Sequence, residues 1–260
     1  APTYASYTVR TEFELLFGLP VKSLNDPNMP QRMLLERQQP TIPSYYKAQG
    51  YSTAYVHPFQ GSFYNRRSIY SRFSFDTMIF EDDFTVPVDL YGTYIDDNTV
   101  YNQIEQLITD TDEPLYLHAT TMQNHQPYNQ GTGATEFGLA DFIDRLSKLD
   151  EPTIVLFIGD HFPSLRGEDG IYAQLGITSE NCSTLYEQKY VMWNNFGLDM
   201  TKVQPQEEVS VFYLPYVMMQ EVGMPKDSFT QSMMDEMPVT PVYSTNYAPG
   251  KERNEKLDTL

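Results

Sequence analysis

Gly159-Asp160-His161 directly follows Thr153-Ile154-Val155-Leu156-Phe157-Ile158, an apolar run of strand length. In an open α/β sheet, residues just past a strand's carboxyl end face the ligand crevice, so a carboxylate and an imidazole would emerge there side by side. Mixed oxygen and nitrogen donors suit Mn²⁺, Zn²⁺ or a similar divalent ion such as Mg²⁺. The same residues also fit a helix cap followed by a surface histidine. A second candidate is Ser6-Tyr7-Thr8-Val9-Arg10-Thr11-Glu12-Phe13. A hydroxyl at a helix N-terminus sits among free N–H groups and the positive dipole end, which favour a phosphate and a developing alkoxide. Thr8 could then be a nucleophile, or only part of the capping chemistry of Thr11 and Glu12.

Two further polar clusters follow strand-like runs. The first is His57 with Phe63-Tyr64-Asn65-Arg66-Arg67, the second Thr121-Met122-Gln123-Asn124-His125-Gln126-Pro127-Tyr128. Arginine suits bidentate phosphate contact, an aromatic ring can wall a glycerol or headgroup pocket, and histidine can hydrogen-bond a phosphoryl or leaving oxygen. Taken singly, Asn-Arg-Arg is also a solvated helix start and Asn-His also a turn.

The elements that would carry these residues alternate. Helical spacing predicts a short helix over Thr11–Pro20 with Thr8 at or just before its start, another over Thr41–Gly50, and a strand from Ser52 to His57. A helix starts near Arg66, Phe80-Glu81-Asp82 marks a loop after a short strand, and an amphipathic helix runs from Asn98 to Thr109. Pro114 to Thr121 reads as a buried strand, Phe137 to Leu149 as a helix, Thr153 to Gly159 as the main core strand, and Tyr190 to Asn195 as another strand. A helix over Val209–Glu221 ends at Gly223. The expectation is an α/β fold: a mostly parallel central sheet with helices on both faces, residues 1–224, and a small C-terminal subdomain or tail over 225–260.

With 35 acidic against 17 basic residues, the net charge of −18 opposes non-specific attraction to nucleic acid or to an anionic membrane surface. Binding a phosphate ester then requires a metal ion or a few placed arginines. The single cysteine, Cys182, permits neither an internal disulfide nor a thiolate zinc cluster. No run approaches the roughly 18 to 20 apolar residues of a membrane-spanning helix.

Taken together and in order, Thr8-x-x-x-Glu12-Phe13, Phe63-Tyr64-Asn65-Arg66, Thr121-x-x-Asn124-His125-x-Pro127-Tyr128 and Gly159-Asp160-His161 resemble the lipoteichoic acid synthase and phosphoglycerol transferase family of the sulfatase and alkaline phosphatase superfamily. The resemblance runs from about Thr3 to about Gly223. It implies transfer of glycerophosphate from a phosphatidylglycerol-type lipid, through a threonine-bound intermediate, to a glycerol hydroxyl of an acceptor. It assigns Thr8 as nucleophile and metal ligand, Asp160 and His161 as ligands of a divalent ion, usually Mn²⁺, and Arg66 as phosphate binder. Tyr64 stands where the family often has Trp, His125 matches a histidine near bound glycerophosphate, and Asn65, Asn124 and His57 join the substrate-binding set. A further acidic ligand is implied on a strand upstream of the threonine motif, with N-terminal membrane helices placing the domain on the extracellular face of the membrane. The connection from His125 through Gly131-Thr132-Gly133 is shorter than the family usually has. A sulfatase would need Cys or Ser in a Cys/Ser-x-Pro-x-Arg setting, which Glu180-Asn181-Cys182-Ser183-Thr184 does not supply. A phosphoethanolamine transferase, another phosphodiesterase, or a non-catalytic glycerophosphate-binding domain are the alternatives.

Overall fold

The computed structural model describes residues 7–21, 24, 30, 40–125, 134–163, 170–178, 180–200, 208–243, 254 and 256–259. Ser6, Gln126 to Tyr128 and Gly131 to Gly133, all singled out above, lie outside them. The chain has an α/β fold and divides into two compact units. The first comprises residues 1–36, 155–193 and 199–260, the second 37–154 and 194–198.

The second unit is built on a parallel sheet of order β2-β1-β5, from β1 (Ser52–Val56), β2 (Thr77–Ile79) and β5 (Leu115–Ala119). Tyr55 pairs with Met78 on one side and His118 on the other. Helix α2 (Ile42–Ala48) leads into β1 and starts on a capping box, in which Thr41 and Ser44 each satisfy the other's backbone N–H. Helix α3 (Arg66–Tyr70) follows a 3-10 turn at Phe63–Asn65, and a two-residue hairpin of β3 (Leu90–Tyr91) and β4 (Tyr94–Ile95) precedes α4 (Asp97–Asp110). Asp96 caps α4 by accepting from the Thr99 N–H at 2.7 Å. Helix α5 (Ala134–Leu146) completes the unit. Val56, Ile79 and Val100 form a core on which Phe84, Ile104, Leu107 and Leu117 close.

The first unit pairs β6 (Ile154–Ile158) with β7 (Tyr190–Asn194), apart from the outer residues Ile154 and Asn194. The Gly159 N–H donates to the Lys189 carbonyl at one end and the Asn195 N–H to the Thr153 carbonyl at the other, so the two strands run antiparallel. Helix α1 (Thr8–Phe17) packs on the 3-10 turn Val211–Tyr213 and on α7 (Leu214–Glu221). Val211, Phe212 and Tyr213 are fully buried; burial of each apolar side chain contributes roughly 1.5–3 kcal/mol. Gly18 ends α1 in the left-handed region at φ 62, and Tyr216 lies so close that any Cβ there would strike its ring. The Tyr216 hydroxyl donates to the Gly18 carbonyl at 3.0 Å.

One expectation is revised. The runs at 114–121 and 153–159, read as buried strands, are half-buried along their whole length as β5 and β6, whereas β1 is buried from Thr53 to Val56. The reason is position in the described sheets: β1 has a strand on both sides, while β5 is an edge and β6 pairs with β7 alone. The 225–260 segment clusters with residues 1–36, 155–193 and 199–224 in the first unit. Helix α8 (Ser228–Glu236), which hydropathy did not reveal, packs on α7 and buries Met233, with Met237 just beyond it. Its sequence Ser-Phe-Thr-Gln-Ser-Met-Met-Asp-Glu carries few apolar residues, so flexible methionines supply the contact that a leucine stripe would have advertised.

Candidate active site

In the first unit, the carboxyl end of β6 delivers Asp160 and His161 to the N-terminus of α1. The Thr8 Oγ1–H donates to Asp160 Oδ2 at 2.7 Å, and the Thr11 Oγ1–H donates to the Asp160 carbonyl at 2.8 Å. The capping alternative for these threonines is not what the structure shows: the N-cap of α1 is Tyr7, no side chain caps the helix, and both hydroxyls point to Asp160. The Asp160 carboxylate is fixed by a second bond, from the His161 N–H to Oδ1 at 2.8 Å. Tyr7, immediately before Thr8, is at φ 100 and ψ 110. A non-glycine residue held there stores on the order of 1–3 kcal/mol, and strain of this kind concentrates where function over-determines the backbone.

Whether a metal fits is decided by the histidine. His161 Nδ1 lies 2.8 Å from the Phe162 carbonyl oxygen, which can only accept, so Nδ1 carries the proton. Nε2 then directs its lone pair at Asp160 Oδ2, 3.2 Å away. Two electron-pair donors facing each other need a cation in common, supplied by a second proton on the imidazole or by a metal ion. A backbone carbonyl behind Nδ1 is the usual orienting partner of a metal-bound histidine. Thr8 Oγ1, Asp160 Oδ2 and His161 Nε2 therefore make a donor set that fits a divalent ion. Among the described residues no group of three or more His, Cys, Asp or Glu side chains gathers, so these two side chains and the threonine hydroxyl are the donors assembled.

The second unit holds the other candidates. His57 follows β1 and His125 follows β5, both past carboxyl ends of parallel strands. His57 is 1% exposed, with Nδ1 at 2.9 Å from the Thr120 carbonyl and its ring among Phe59 and Phe80. Arg66 is likewise 1% exposed; its guanidinium lies 5.0 Å over the Tyr64 ring and 5.6 Å over Phe63. The His125 ring meets Phe63 edge-on, centroids 6.0 Å apart. Arg66 and His125 thus pack on one aromatic ring. Tyr64 and Asn65 are both left-handed, at φ 56 and φ 57, a strained pair directly before Arg66. The reversal turns Asn65 outward, where it is exposed and lines a polar groove with Gln60, Ser62, Arg67 and Glu81. Asn124 is half-buried beside His125.

Two contributors escaped the sequence reading. Thr11 looked like a capping residue, and nothing in its spacing announced that it would hold the Asp160 carbonyl. Tyr94 places its hydroxyl 3.4 Å from His125 Nδ1. Its one signal was Tyr91-Gly92-Thr93-Tyr94, a glycine between aromatic residues that reads as a hairpin turn.

The sulfatase family model matches residues 1–136, just over half of the chain. A Rhizobium meliloti protein named for cyclic beta-1,2-glucan modification is 23% identical over 86% of this chain, which spans 40% of that relative's length. Among solved structures, the phosphoglycerol transferase GacH of Streptococcus pyogenes, in complex with sn-glycerol-1-phosphate, aligns with a TM-score of 0.70 at 20% identity, covering 99% of this chain and 71% of that one. The lipoteichoic acid synthase LtaP of Listeria monocytogenes aligns at 0.65 and 19%, covering 86% and 62%. The C-terminal periplasmic domain of EcEptC from Escherichia coli, solved with Zn, aligns at 0.60 and 14%, covering 88% and 71%. These likenesses establish the alkaline phosphatase-like α/β fold. A family match over more than half its length, on that fold and with a carboxylate and imidazole at the strand end, makes this chain a member of the sulfatase family.

Proposed function

We propose that the chain is the catalytic part of a phosphoglycerol transferase that moves glycerophosphate from a phosphatidylglycerol-type lipid to a hydroxyl of a glycerol-bearing acceptor, outside the cytoplasm. The observation that carries the reading is the Thr8 hydroxyl, turned from its helix onto Asp160 Oδ2 at 2.7 Å. In the first step Thr8 Oγ1 forms a bond to phosphorus, its proton passes to the Asp160 carboxylate toward which it already points, and the phosphorus–oxygen bond to diacylglycerol breaks. The diacylglycerol oxygen takes a proton from water. In the second step the acceptor oxygen bonds to phosphorus and the bond from Thr8 Oγ1 to phosphorus breaks; Thr8 recovers its proton from Asp160, and the acceptor's proton neutralises the hydroxide left by the first step. A divalent ion, held by Asp160 and His161 with Thr8, would lower the hydroxyl pKa and offset charge at phosphorus. Within the second unit taken by itself, Arg66 has the role of an anion-binding group, its planar fork kept oriented by Phe63 and Tyr64. His125, Asn65, Asn124 and His57 are the further polar groups that the same unit offers to a glycerophosphate ligand.

The likeness to GacH and LtaP supports the donor chemistry, and the absence of a Cys/Ser-x-Pro-x-Arg setting at Cys182 argues against sulfate ester hydrolysis. The test is Mn²⁺-dependent release of diacylglycerol from labelled phosphatidylglycerol by the full-length protein, with Thr8→Ala as control. Release that needs both Mn²⁺ and Thr8 supports the reading. Mn²⁺ binding without release sinks phosphatidylglycerol as donor and favours another phosphodiester; no metal binding favours a non-catalytic domain.

A further inference from the structure

The carbonyl that faces His161 Nδ1 at 2.8 Å belongs to Phe162, in a stretch with little of its own to hold it. Residues 161–163 belong to no helix or strand, and the Phe162 side chain is 42% exposed, so burial does not fix the segment. It is reached from outside by the Tyr172 hydroxyl, which donates to the Pro163 carbonyl at 2.7 Å. Tyr172 is itself well seated. It lies in helix α6 (Ile171–Gln174), which closes with the Leu175 N–H on the Ile171 carbonyl at 3.0 Å and the Ile177 N–H on the Tyr172 carbonyl at 2.8 Å.

The link between the Phe162 and Pro163 carbonyls is short and stiff. Peptide planarity leaves only φ and ψ of Pro163 between them, and the pyrrolidine ring locks that φ at about −65°. Fixing the Pro163 carbonyl therefore restricts where the Phe162 carbonyl points.

That direction matters because a neutral imidazole has one proton and two nitrogens to carry it. On Nδ1 the proton is donated to the Phe162 carbonyl, and Nε2 keeps a lone pair for a divalent ion. On Nε2 it would be donated to Asp160 Oδ2, 3.2 Å away, and that nitrogen would be closed to a metal. Both forms hold the same number of protons, so the place of the Phe162 carbonyl decides between them.

We propose that Tyr172 is a positioning residue: through Pro163 it holds the Phe162 carbonyl behind His161 and so keeps Nε2 open to a divalent ion. The inference rests on the reading of Thr8, Asp160 and His161 as donors to that ion. Without the tether the Nε2–H form gains population, and apparent metal affinity falls with the fraction of the open form that remains.

Long-range ¹H–¹⁵N correlation spectra of the metal-free, full-length protein at about pH 8, above the ordinary histidine pKa of about 6.5, read the two nitrogens. This chain has four histidines, and His161→Gln assigns the signal. The wild type is expected to carry the proton on Nδ1. Tyr172→Phe, which keeps the ring, is expected to move it toward Nε2 and to weaken Mn²⁺ binding, measured calorimetrically, about 10-fold. Pro163→Ala releases the locked φ, so adding Tyr172→Phe to it should weaken Mn²⁺ binding less than in the wild type. A wild type with the proton on Nε2 overturns the proposal. So does a Tyr172→Phe protein that keeps the wild-type nitrogen pattern or Mn²⁺ affinity, or an equal effect of Tyr172→Phe in both backgrounds. If the pattern moves as expected while neither protein binds Mn²⁺, the Tyr172 tether is upheld and the divalent-ion reading falls.

Discussion

The two units present their polar groups in different ways. Around Thr8 the first unit gathers electron-pair donors at a half-exposed strand end: a hydroxyl, a carboxylate and an imidazole, drawn from positions 152 residues apart. Around Arg66 the second unit does the reverse, burying one cation among aromatic rings contributed by its own immediate neighbours, Phe63 and Tyr64. A group that must make and break a bond needs an oxygen whose proton has somewhere to go. A group that must recognise an anion needs a charge kept oriented and partly out of water, where each hydrogen bond counts for more. The difference teaches that net charge is a poor guide to a local site: an overall −18 coexists with a guanidinium buried among aromatic rings.

The sharpest break between the units should come from Thr8→Ala. Turnover is expected to fall by at least about 1,000-fold, while sn-glycerol-1-phosphate binding, measured calorimetrically, stays near wild type. Equal loss of both would dissolve the division of labour.

Next in size is a pH effect confined to the first unit. Burial pushes the Glu14 carboxyl up to about 8, with the Val21 N–H bond and the Arg10 charge pulling the other way. Because the folded pKa lies above the unfolded value of 4.5, Glu14 contributes stability that is fully present below pH 4.5. That contribution is lost as pH rises through about 8, at about 1.4 kcal/mol per unit. Glu14→Gln keeps the acceptor for Val21 and is expected to remove this slope, so urea unfolding at about pH 8.5 should find the variant more stable by several kcal/mol. A variant with the wild-type pH slope would show that Glu14 is not held protonated.

Arg66→Lys probes the second unit. A lysine retains the charge but lacks the planar fork, and a loss of about 2 kcal/mol in sn-glycerol-1-phosphate binding is expected, with Mn²⁺ affinity unchanged. An unaltered affinity would mean that charge alone serves. The smallest effect concerns the strained pair before Arg66. Asn tolerates φ 57 better than other non-glycine residues, so Asn65→Ala should cost about 1 kcal/mol of stability in thermal unfolding. No change there would mean the backbone relaxes freely.

Much of this was legible in advance because it is local. The strand before Gly159-Asp160-His161, the helix expected over Thr41–Gly50 and the helix beginning at Arg66 all follow from neighbours within a few residues. The Thr8 helix was placed three residues late, since Thr11 with Glu12 looked like a capped start and Tyr7, the actual N-cap, is not a capping type. Helix α8 was missed because methionines do its packing, and Tyr94 because its meaning depends on a histidine 31 residues away.

By itself, then, the amino-acid order determined which segments are strands and helices and which polar residues stand at their ends, because periodicity and capping act over one or two turns. Only the tertiary structure decided that the Thr8 hydroxyl serves Asp160 instead of its own helix, that the lone pair of His161 turns to the same carboxylate, and that Arg66 is sealed under aromatic rings. Hydrogen bonds and burial compete across the whole chain, and the partner that wins is the one the packed core brings within 3 Å, whatever its distance in sequence.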